Sequence, residues 1–180
     1  MHVALLGGSF NPPHVGHLLA AHYVRATHAV DELWLMPAFL HPFGKALAAF
    51  EHRVVMCNLL CADASGWMKT SEVEREVKSD GRTADTVAFL KSRHPQMRFS
   101  LIIGSDILLD LPAWKEIDRL KALAEFIVIH RAGYASPEAS GPALMEVSST
   151  DVRRRLQAGE SLGGLVPLRI LEYARAHALY

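Results

Sequence analysis

Short apolar runs alternate with longer amphipathic segments along this chain, and that alternation constrains its fold more than any other feature. Four runs are almost entirely apolar and are predicted to be strands buried on both faces: residues 3–6, 33–36, 99–103 and 126–129. The segments between them carry apolar residues at helical spacing, for example Leu19, Tyr23 and Ala26. Strands separated by crossover helices predict βαβ units and a mostly parallel sheet with helices on both faces.

The C-terminal part is predicted to complete the same domain. Residues 132–144 are rich in Ala, Gly, Pro and Ser and are expected to form a loop. A short strand is expected near residues 145–147, followed by helices over 149–158 and 166–177. The predicted fold is therefore one Rossmann-like, doubly wound α/β domain over residues 1–180. In such sheets, ligands bind beyond the carboxyl ends of the strands, where the strand order reverses.

Composition and charge narrow the class of protein further. The 180 residues contain 19 Lys plus Arg and 19 Asp plus Glu, so the net charge of zero gives no support to a nucleic-acid binder. No apolar run approaches the roughly 20 residues that span a bilayer, and the N-terminus lacks a signal-peptide pattern, so we expect a cytoplasmic protein without a membrane partner. Cys57 and Cys61 share one helical face and are expected to be buried free thiols, in preference to a metal or redox pair.

Residues 7–17, GGSFNPPHVGH, form the turn after the first predicted strand. The two glycines let the backbone approach a ligand closely, and the two prolines stiffen the loop. His14 and His17 lie on one face if a helix begins near Val15, and a helix N-terminus attracts anions such as phosphate. On the residues alone, one histidine capping the helix and the other filling space remains an alternative. Zinc is less favoured because no third ligand stands at a typical spacing.

Two segments at opposite ends of the chain carry a resemblance to a known superfamily. GSFNPPHVGH resembles the GxFxPxHxGH signature of the nucleotidylyltransferases, whose core is the HxGH element at residues 14–17. Residues 148–153, SSTDVR, resemble the SxTxxR motif of the same superfamily. The second motif also makes physical sense by itself, because a Ser or Thr caps a helix and Arg153 in its first turns can bind phosphate.

Other segments are similar to the bacterial nicotinate-nucleotide adenylyltransferases over almost the whole chain. They are IIGSD at 102–106, LPAW at 111–114, HRAGY at 130–134 and the tail LVPLRILEYARAHALY at 165–180. The resemblance implies three catalytic residues, namely His14, His17 and Arg153. The ATP-binding residues that it implies are Gly8, Ser9, Phe10, Lys45, Gly104, Asp106, Ser148, Ser149 and Thr150.

The resemblance also implies an acceptor site for the mononucleotide. Thr83 and Arg131 would help to hold the mononucleotide, and Trp114 would stack on its pyridine ring. On the residues alone, Trp114 is more often a core or rim aromatic, and Asp106 can equally be a helix cap.

The chain departs from the family pattern in two loops. The family's PPHK-like loop is HPFGK at residues 41–45, so either His41 or Lys45 is the basic residue that meets the triphosphate. In place of the family's SYT the chain has Asp80-Gly81-Arg82-Thr83, and we hypothesise that Arg82 lies near the pyridine pocket and favours a ring that carries a carboxylate. The loop after Tyr134 is also short for the family, so the cover over the site is expected to differ.

The reaction implied is attack by the mononucleotide phosphate on the α-phosphorus of ATP, with pyrophosphate leaving. Catalysis is then expected to come from positioning and charge stabilisation, without an enzyme nucleophile. Magnesium is expected to arrive bridging the ATP phosphates, with no protein metal cluster. A homo-oligomer is left open by the sequence.

Three alternatives remain at this stage, and a further one is excluded. The first is a phosphopantetheine adenylyltransferase, and the second is a preference for nicotinamide mononucleotide. The third is a non-catalytic nucleotide sensor on the same fold. A class I aminoacyl-tRNA synthetase shares the HxGH-type signature, but the chain has no room for an anticodon domain.

Overall fold

The computed structural model describes residues 1–40, 46–78 and 82–180. In these ranges the chain forms a six-stranded sheet: β1 His2–Gly8, β2 Glu32–Pro37, β3 Met68–Thr70, β4 Arg98–Gly104, β5 Glu125–Arg131 and β6 Ser140–Leu144. The α-helices are α1 Val15–Thr27, α2 Phe50–Cys61, α3 Val73–Val77, α4 Thr83–Arg93, α5 Ile117–Leu123, α6 Ser149–Gln157 and α7 Leu168–Ala176. Two short 3-10 turns follow β4, at Ile107–Leu109 and Leu111–Ala113.

The strand order is β3-β2-β1-β4-β5-β6, and every pair of neighbouring strands is parallel. The chain winds outward from β1 through β2 and β3, and then returns to the other side of β1 to form β4. The order therefore reverses between β1 and β4, and a crevice forms beyond the carboxyl ends of these two strands. The predicted single, doubly wound and parallel domain is confirmed.

Alternate residues of the buried strands face two separate hydrophobic clusters. Ala4 and Leu6 of β1 belong to one cluster, in which α1, α2, α6 and α7 cover the sheet. Val3 and Leu5 belong to the other, which is covered by α3, α4 and α5. The expectation of helices on both faces is thus confirmed, and it explains why the strands read as continuous apolar runs.

The last strand differs from the sequence prediction. Strand β6 occupies Ser140–Leu144, inside the segment expected to be a loop, whereas residues 145–148 lie outside any strand. β6 lies at the edge of the sheet, a position in which a proline such as Pro142 is tolerated. At Gly141, φ is +77° and a Cβ would lie 2.0 Å from the hydroxyl of Tyr23, so a glycine is required there.

The three-residue strand β3 was not predicted, because only Met68 of its residues is buried. The helices expected over 149–158 and 166–177 are present as α6 and α7, shorter by one to three residues at their ends. Among the described residues, no helix is long and apolar enough to cross a membrane.

Candidate active site

The turn between β1 and α1 lies at the carboxyl end of the central strand. Phe10 is fully buried with φ +46°, and its ring lies 4.7 Å from that of His17, centroid to centroid. A Cβ on Gly8 would come within 3.3 Å of the Phe10 ring. The buried Phe10 ring therefore packs against the inner side of the turn, and this packing fixes the backbone that faces the crevice.

The two histidines stack at the start of α1. Helix α1 begins at Val15, as predicted, with His14 at its N-cap. The ring centroids of His14 and His17 are 3.8 Å apart, and the rings are inclined at 31°. A Cβ on Gly16 would lie 3.0 Å from Nδ1 of His14, so the glycine of the HxGH element makes room for that ring.

Both imidazoles are neutral in this environment, and they differ in hydrogen bonding. Burial, with a smaller contribution from the Arg131 charge, lowers the pKa of His14 from 6.5 to about 4. Burial, the neighbouring His14 and Arg131 hold the pKa of His17 well below its usual value. Nδ1 of His17 accepts a hydrogen bond from the His14 backbone N–H at 3.1 Å, so the neutral ring carries its proton on Nε2.

Nδ1 of His14 is buried and has no hydrogen-bond partner among the described residues. His14 as a whole is only 5% exposed. Buried polar atoms in folded proteins are nearly always paired, so this nitrogen stands out among the described residues. This pair of rings can donate to, or accept from, the oxygens of a bound phosphate.

The SSTDVR segment packs directly onto this turn. Ser148 caps α6 by accepting a hydrogen bond from the Asp151 N–H at 3.1 Å. Ser149 Oγ donates to the Pro12 carbonyl at 2.8 Å, and Arg153 Nη1 donates to the Asn11 carbonyl at 2.7 Å. Arg153 also approaches the Thr150 hydroxyl at 3.4 Å. The N-terminus of α6 thus borders the crevice beside the HxGH element.

The second wall of the crevice is built at the end of β4. A Cβ on Gly104 would lie 2.1 Å from Oδ1 of Asp106 and 2.9 Å from Cγ of Arg131, so a larger residue would displace these two side chains. Arg131 Nε lies 3.8 Å from Asp106 Oδ1. Ser105 Oγ accepts from the Arg131 N–H at 3.0 Å and donates to the Tyr134 carbonyl at 2.6 Å, which ties the ends of β4 and β5 together.

The residues predicted to bind the acceptor lie on the α4–α5 side of the sheet. Thr83 is the first residue of α4 and is partly buried. Trp114 follows the second 3-10 turn and packs, partly exposed, against the cluster that contains Met36 and Ala84. Arg82 precedes α4, and its Nε lies 3.3 Å from a carboxylate oxygen of Asp85. The predicted roles of His41 and Lys45 fall outside the described residues.

Sequence reasoning missed three residues that hold the turn in place. Arg53 is buried on α2, where Nη1 donates to the Ser9 carbonyl at 3.0 Å and Nε to the Ala48 carbonyl at 2.9 Å. The other two are Asn11 and Tyr180, whose side chains are hydrogen-bonded to each other at 2.8 Å. Arg53 could have been found, because it shares a helical face with Cys57 and an arginine at an apolar position is unusual.

The cysteines are free, as expected, with Cys57 buried and Cys61 partly buried. Burial raises the pKa of the Cys57 thiol well above its usual value and that of Cys61 to about 11. Neither is therefore an activated nucleophile. Within the part of the chain that the structure describes, no three His, Cys, Asp or Glu residues are grouped so as to hold a metal ion.

Comparison with known proteins places this crevice in a family. A family model described as cytidylyltransferase-like matches residues 5–155. A probable nicotinate-nucleotide adenylyltransferase of Myxococcus xanthus is 59% identical over 178 residues, covering 99% of this chain and 94% of the relative. The chain belongs to the nicotinate-nucleotide adenylyltransferase family.

A second member of this adenylyltransferase family, from Anaeromyxobacter dehalogenans, is 48% identical over 99% of the chain and 96% of its own length. Among solved structures, the nicotinic acid mononucleotide adenylyltransferase of Plasmodium falciparum, complexed with NaAD, superimposes with a TM-score of 0.82. It covers 99% of this chain at 20% identity, a likeness that supports the fold alone. The resemblance inferred from the HxGH and SSTDVR motifs is confirmed.

Proposed function

We propose that this protein transfers the adenylyl group of ATP to nicotinate mononucleotide, giving the deamido form of NAD and pyrophosphate. The observation that carries the proposal is the stacked pair of His14 and His17 at the N-terminus of α1, beside the crevice between β1 and β4. The site lies in a chain that is 59% identical to a probable nicotinate-nucleotide adenylyltransferase.

In this proposal His14, His17 and Arg153 meet the phosphates. An oxygen of the mononucleotide phosphate forms a bond to the α-phosphorus of ATP, while the bond from that phosphorus to the bridging oxygen of pyrophosphate breaks. Negative charge grows on the leaving pyrophosphate and spreads over the oxygens around the α-phosphorus. The proton on Nε2 of His17 and the Arg153 guanidinium are donors for these oxygens, and they need no change of protonation during the step.

Two groups of backbone and side-chain atoms would bind the rest of ATP. Asp106 and Gly104 at the end of β4 are proposed to hold the ribose and adenosine, with the missing Cβ of Gly104 allowing close approach. The triphosphate would lie along the turn after β1 and the start of α6, which offers unpaired N–H groups. The proposed contacts here are Gly8, Ser9, Ser148, Ser149 and Thr150, with Lys45 in a supporting role. Phe10, which is fully buried, would act by supporting the turn.

The acceptor would bind on the α4 side. Trp114 is proposed to stack on the pyridine ring, Thr83 to bind the mononucleotide, and Arg131 to lie between the two substrates.

We propose that Arg82 favours the acidic ring through charge. Replacing Arg82 with Ala should then lower activity on nicotinate mononucleotide more than on the amide. Arg119→Ala is the matched control, since Arg119 also pairs with Asp85, at 2.8 Å. Equal losses on both acceptors would remove this role.

Magnesium is proposed to enter as the complex with ATP, held by phosphate oxygens and water, because the described residues offer no metal-binding cluster. The free thiols of Cys57 and Cys61 fit a reducing, cytoplasmic environment. The balanced charge of 19 basic and 19 acidic residues favours small-molecule partners over nucleic acid.

The test is pyrophosphate release from magnesium and ATP with three acceptors in parallel: nicotinate mononucleotide, nicotinamide mononucleotide and phosphopantetheine. We expect a strong preference for the first. Preference for phosphopantetheine would overturn the proposed acceptor. A folded protein that binds ATP yet releases no pyrophosphate with any of them would indicate a nucleotide sensor.

A further inference from the structure

We infer that Tyr180 is a positioning residue for ATP binding, acting through the side chain of Asn11 on the turn between β1 and α1. This inference rests on the proposed function, because it takes that turn as the binding site of the triphosphate. Tyr180 lies beyond α7, and it has no part in the HxGH or SSTDVR motifs. Among the described residues, the hydrogen bond to Asn11 links the Tyr180 hydroxyl to the turn, so its influence passes through Asn11.

Asn11 is the point at which four segments of the chain meet. Its side chain is 1% exposed, and its amide oxygen accepts two hydrogen bonds, from the Tyr180 hydroxyl at 2.8 Å and from the Ala48 N–H at 3.0 Å. Its backbone carbonyl accepts a third, from Arg153 at 2.7 Å. The turn after β1, the segment before α2, the start of α6 and the tail after α7 are therefore joined at one buried residue.

Arg53 adds two hydrogen bonds between the same segments. Its guanidinium donates to the carbonyls of Ser9 and Ala48, so Ala48 is held at its N–H by Asn11 and at its carbonyl by Arg53. The turn and the segment before α2 are thus tied to each other at two points. The Tyr180 hydroxyl holds the Asn11 side chain in the rotamer that accepts from the Ala48 N–H, so one of these two links depends on Tyr180.

The surroundings of Tyr180 keep its hydroxyl protonated, so that the hydroxyl acts as a hydrogen-bond donor. Burial raises the pKa of its hydroxyl well above the usual value, against the opposing charges of Arg153 and Arg53. The hydroxyl therefore stays protonated and the Asn11 oxygen accepts, as the observed geometry requires. The ring of Tyr180 also packs against the hydrophobic cluster beneath α1, which keeps the hydroxyl in place without help from solvent.

The experiment compares Tyr180→Phe with the wild-type chain. This change removes the hydroxyl and keeps the ring in the core. We expect the Kd for ATP, measured without acceptor, and the KM for ATP each to rise about three- to tenfold, as for the loss of one buried hydrogen bond. The kcat and the KM for nicotinate mononucleotide should change less than about twofold, because uniform binding of ATP is what is lost. Faster hydrogen exchange of the Ala48 amide should accompany the change.

Tyr173→Phe is the matched control. It removes a tyrosine hydroxyl from α7 whose hydrogen bond, 2.8 Å to Nδ1 of His52, runs to α2 and not to the turn. The control should leave the Kd for ATP unchanged. In an Asn11→Ala background, Tyr180→Phe should have no further effect on that Kd, since both changes break one interaction.

Several outcomes separate this inference from the proposed function. A lowered Tm with an unchanged Kd for ATP and unchanged Ala48 exchange in Tyr180→Phe would overturn the inference and make Tyr180 merely structural. So would an effect that persists in full when Asn11 is Ala. If the wild-type chain binds ATP but transfers nothing to any acceptor, the proposed function fails while the Kd comparison still decides the role of Tyr180. A wild-type chain that binds no ATP would overturn both.

Discussion

His14 and His17 stack on each other, yet their hydrogen bonding gives them different parts to play. His17 is oriented by the backbone N–H of His14 and presents a protonated Nε2, whereas His14 has a buried nitrogen without a partner. His17 is thus a preorganised donor, and preorganised donors stabilise transition states most strongly. His14 packs against His17 as a ring that is almost fully buried.

The first prediction concerns His17→Ala. It removes the oriented donor, so we expect kcat to fall about 10²- to 10³-fold while the Kd for ATP changes much less. His22→Ala is the matched control, because His22 is exposed on the same helix and its ring lies against Trp67. Pyrophosphate release and equilibrium ATP binding measure the two quantities. Equal losses of binding and turnover would assign His17 to binding or folding instead.

The second prediction concerns the stability of the ligand-free protein against pH. Since the pKa of His14 is about 4 in the folded state and 6.5 when unfolded, protons bind preferentially to the unfolded chain as pH falls from 6.5 to 4. The contribution of His14 is complete above pH 6.5, and about 2 kcal/mol of it should be lost between pH 7 and pH 5.

Urea unfolding at these two pH values measures the effect. His14→Asn should lose less stability over the interval than the wild-type chain, and His22→Asn should follow the wild type. An identical loss in wild type and His14→Asn would contradict the assigned pKa.

At the scale of elements, helix α6 connects the C-terminal part of the chain to the turn after β1. Ser149 and Arg153 reach the carbonyls of Pro12 and Asn11 from one side of the helix. Arg154, one position further, points to solvent and pairs with Asp151 and Glu160 at 2.9 and 2.8 Å. Two adjacent arginines are thus separated in role by the helical period alone.

The third prediction uses these neighbours as a matched pair. Arg153→Ala removes the proposed phosphate donor and the hydrogen bond to the Asn11 carbonyl, so we expect kcat/KM for ATP to fall about tenfold to hundredfold, through a lower kcat and a higher KM. Arg154→Ala should stay within about twofold, because exposed ion pairs contribute little. Steady-state kinetics with varied ATP tests the pair. Similar losses in the two variants would show that α6 acts through its overall charge.

The elements differ in how far the sequence predicts them. The four apolar runs that form β1, β2, β4 and β5 were recognisable because strands covered on both faces must be apolar throughout. Helix α1 was predicted from residues such as Leu19, but its buried face is Ala20, Ala21 and Val24, since small residues let the helix approach the sheet. Strand β6 escaped because an edge strand needs little hydrophobicity, and its Gly and Pro imitate a loop.

At the scale of the whole molecule, convergence of the site follows from topology. Residues after β1, β4 and β5 meet because the parallel strands end at one edge of the sheet, so their grouping could be predicted from the order of motifs. The contacts of Asn11, Arg53 and Tyr180 could not, because they join positions up to 169 residues apart through buried hydrogen bonds. No local pattern records which donor meets which acceptor across such a distance.

The same topology predicts that the chain unfolds as one unit. The cluster beneath α1 contains Ala4 and Leu6 from the first strand together with Val152 and Ile170 from the last two helices. Although the family model ends at residue 155, α7 is therefore part of the central core. A single transition, coincident for different probes, is expected of such a core.

The fourth prediction tests this unity with two substitutions on α7. Ile170 is 0% exposed and Leu168 is 66% exposed, so Ile170→Ala should cost about 2–5 kcal/mol and Leu168→Ala less than about 0.5 kcal/mol. The three tryptophans lie between residues 34 and 114, far along the chain from α7. If the core is one cooperative unit, Ile170→Ala shifts the urea midpoint of tryptophan fluorescence as much as that of the far-ultraviolet circular dichroism. A shift in the dichroism alone would mean that α6 and α7 unfold separately, and the site, which needs Arg153 beside Asn11, would then be lost before the sheet.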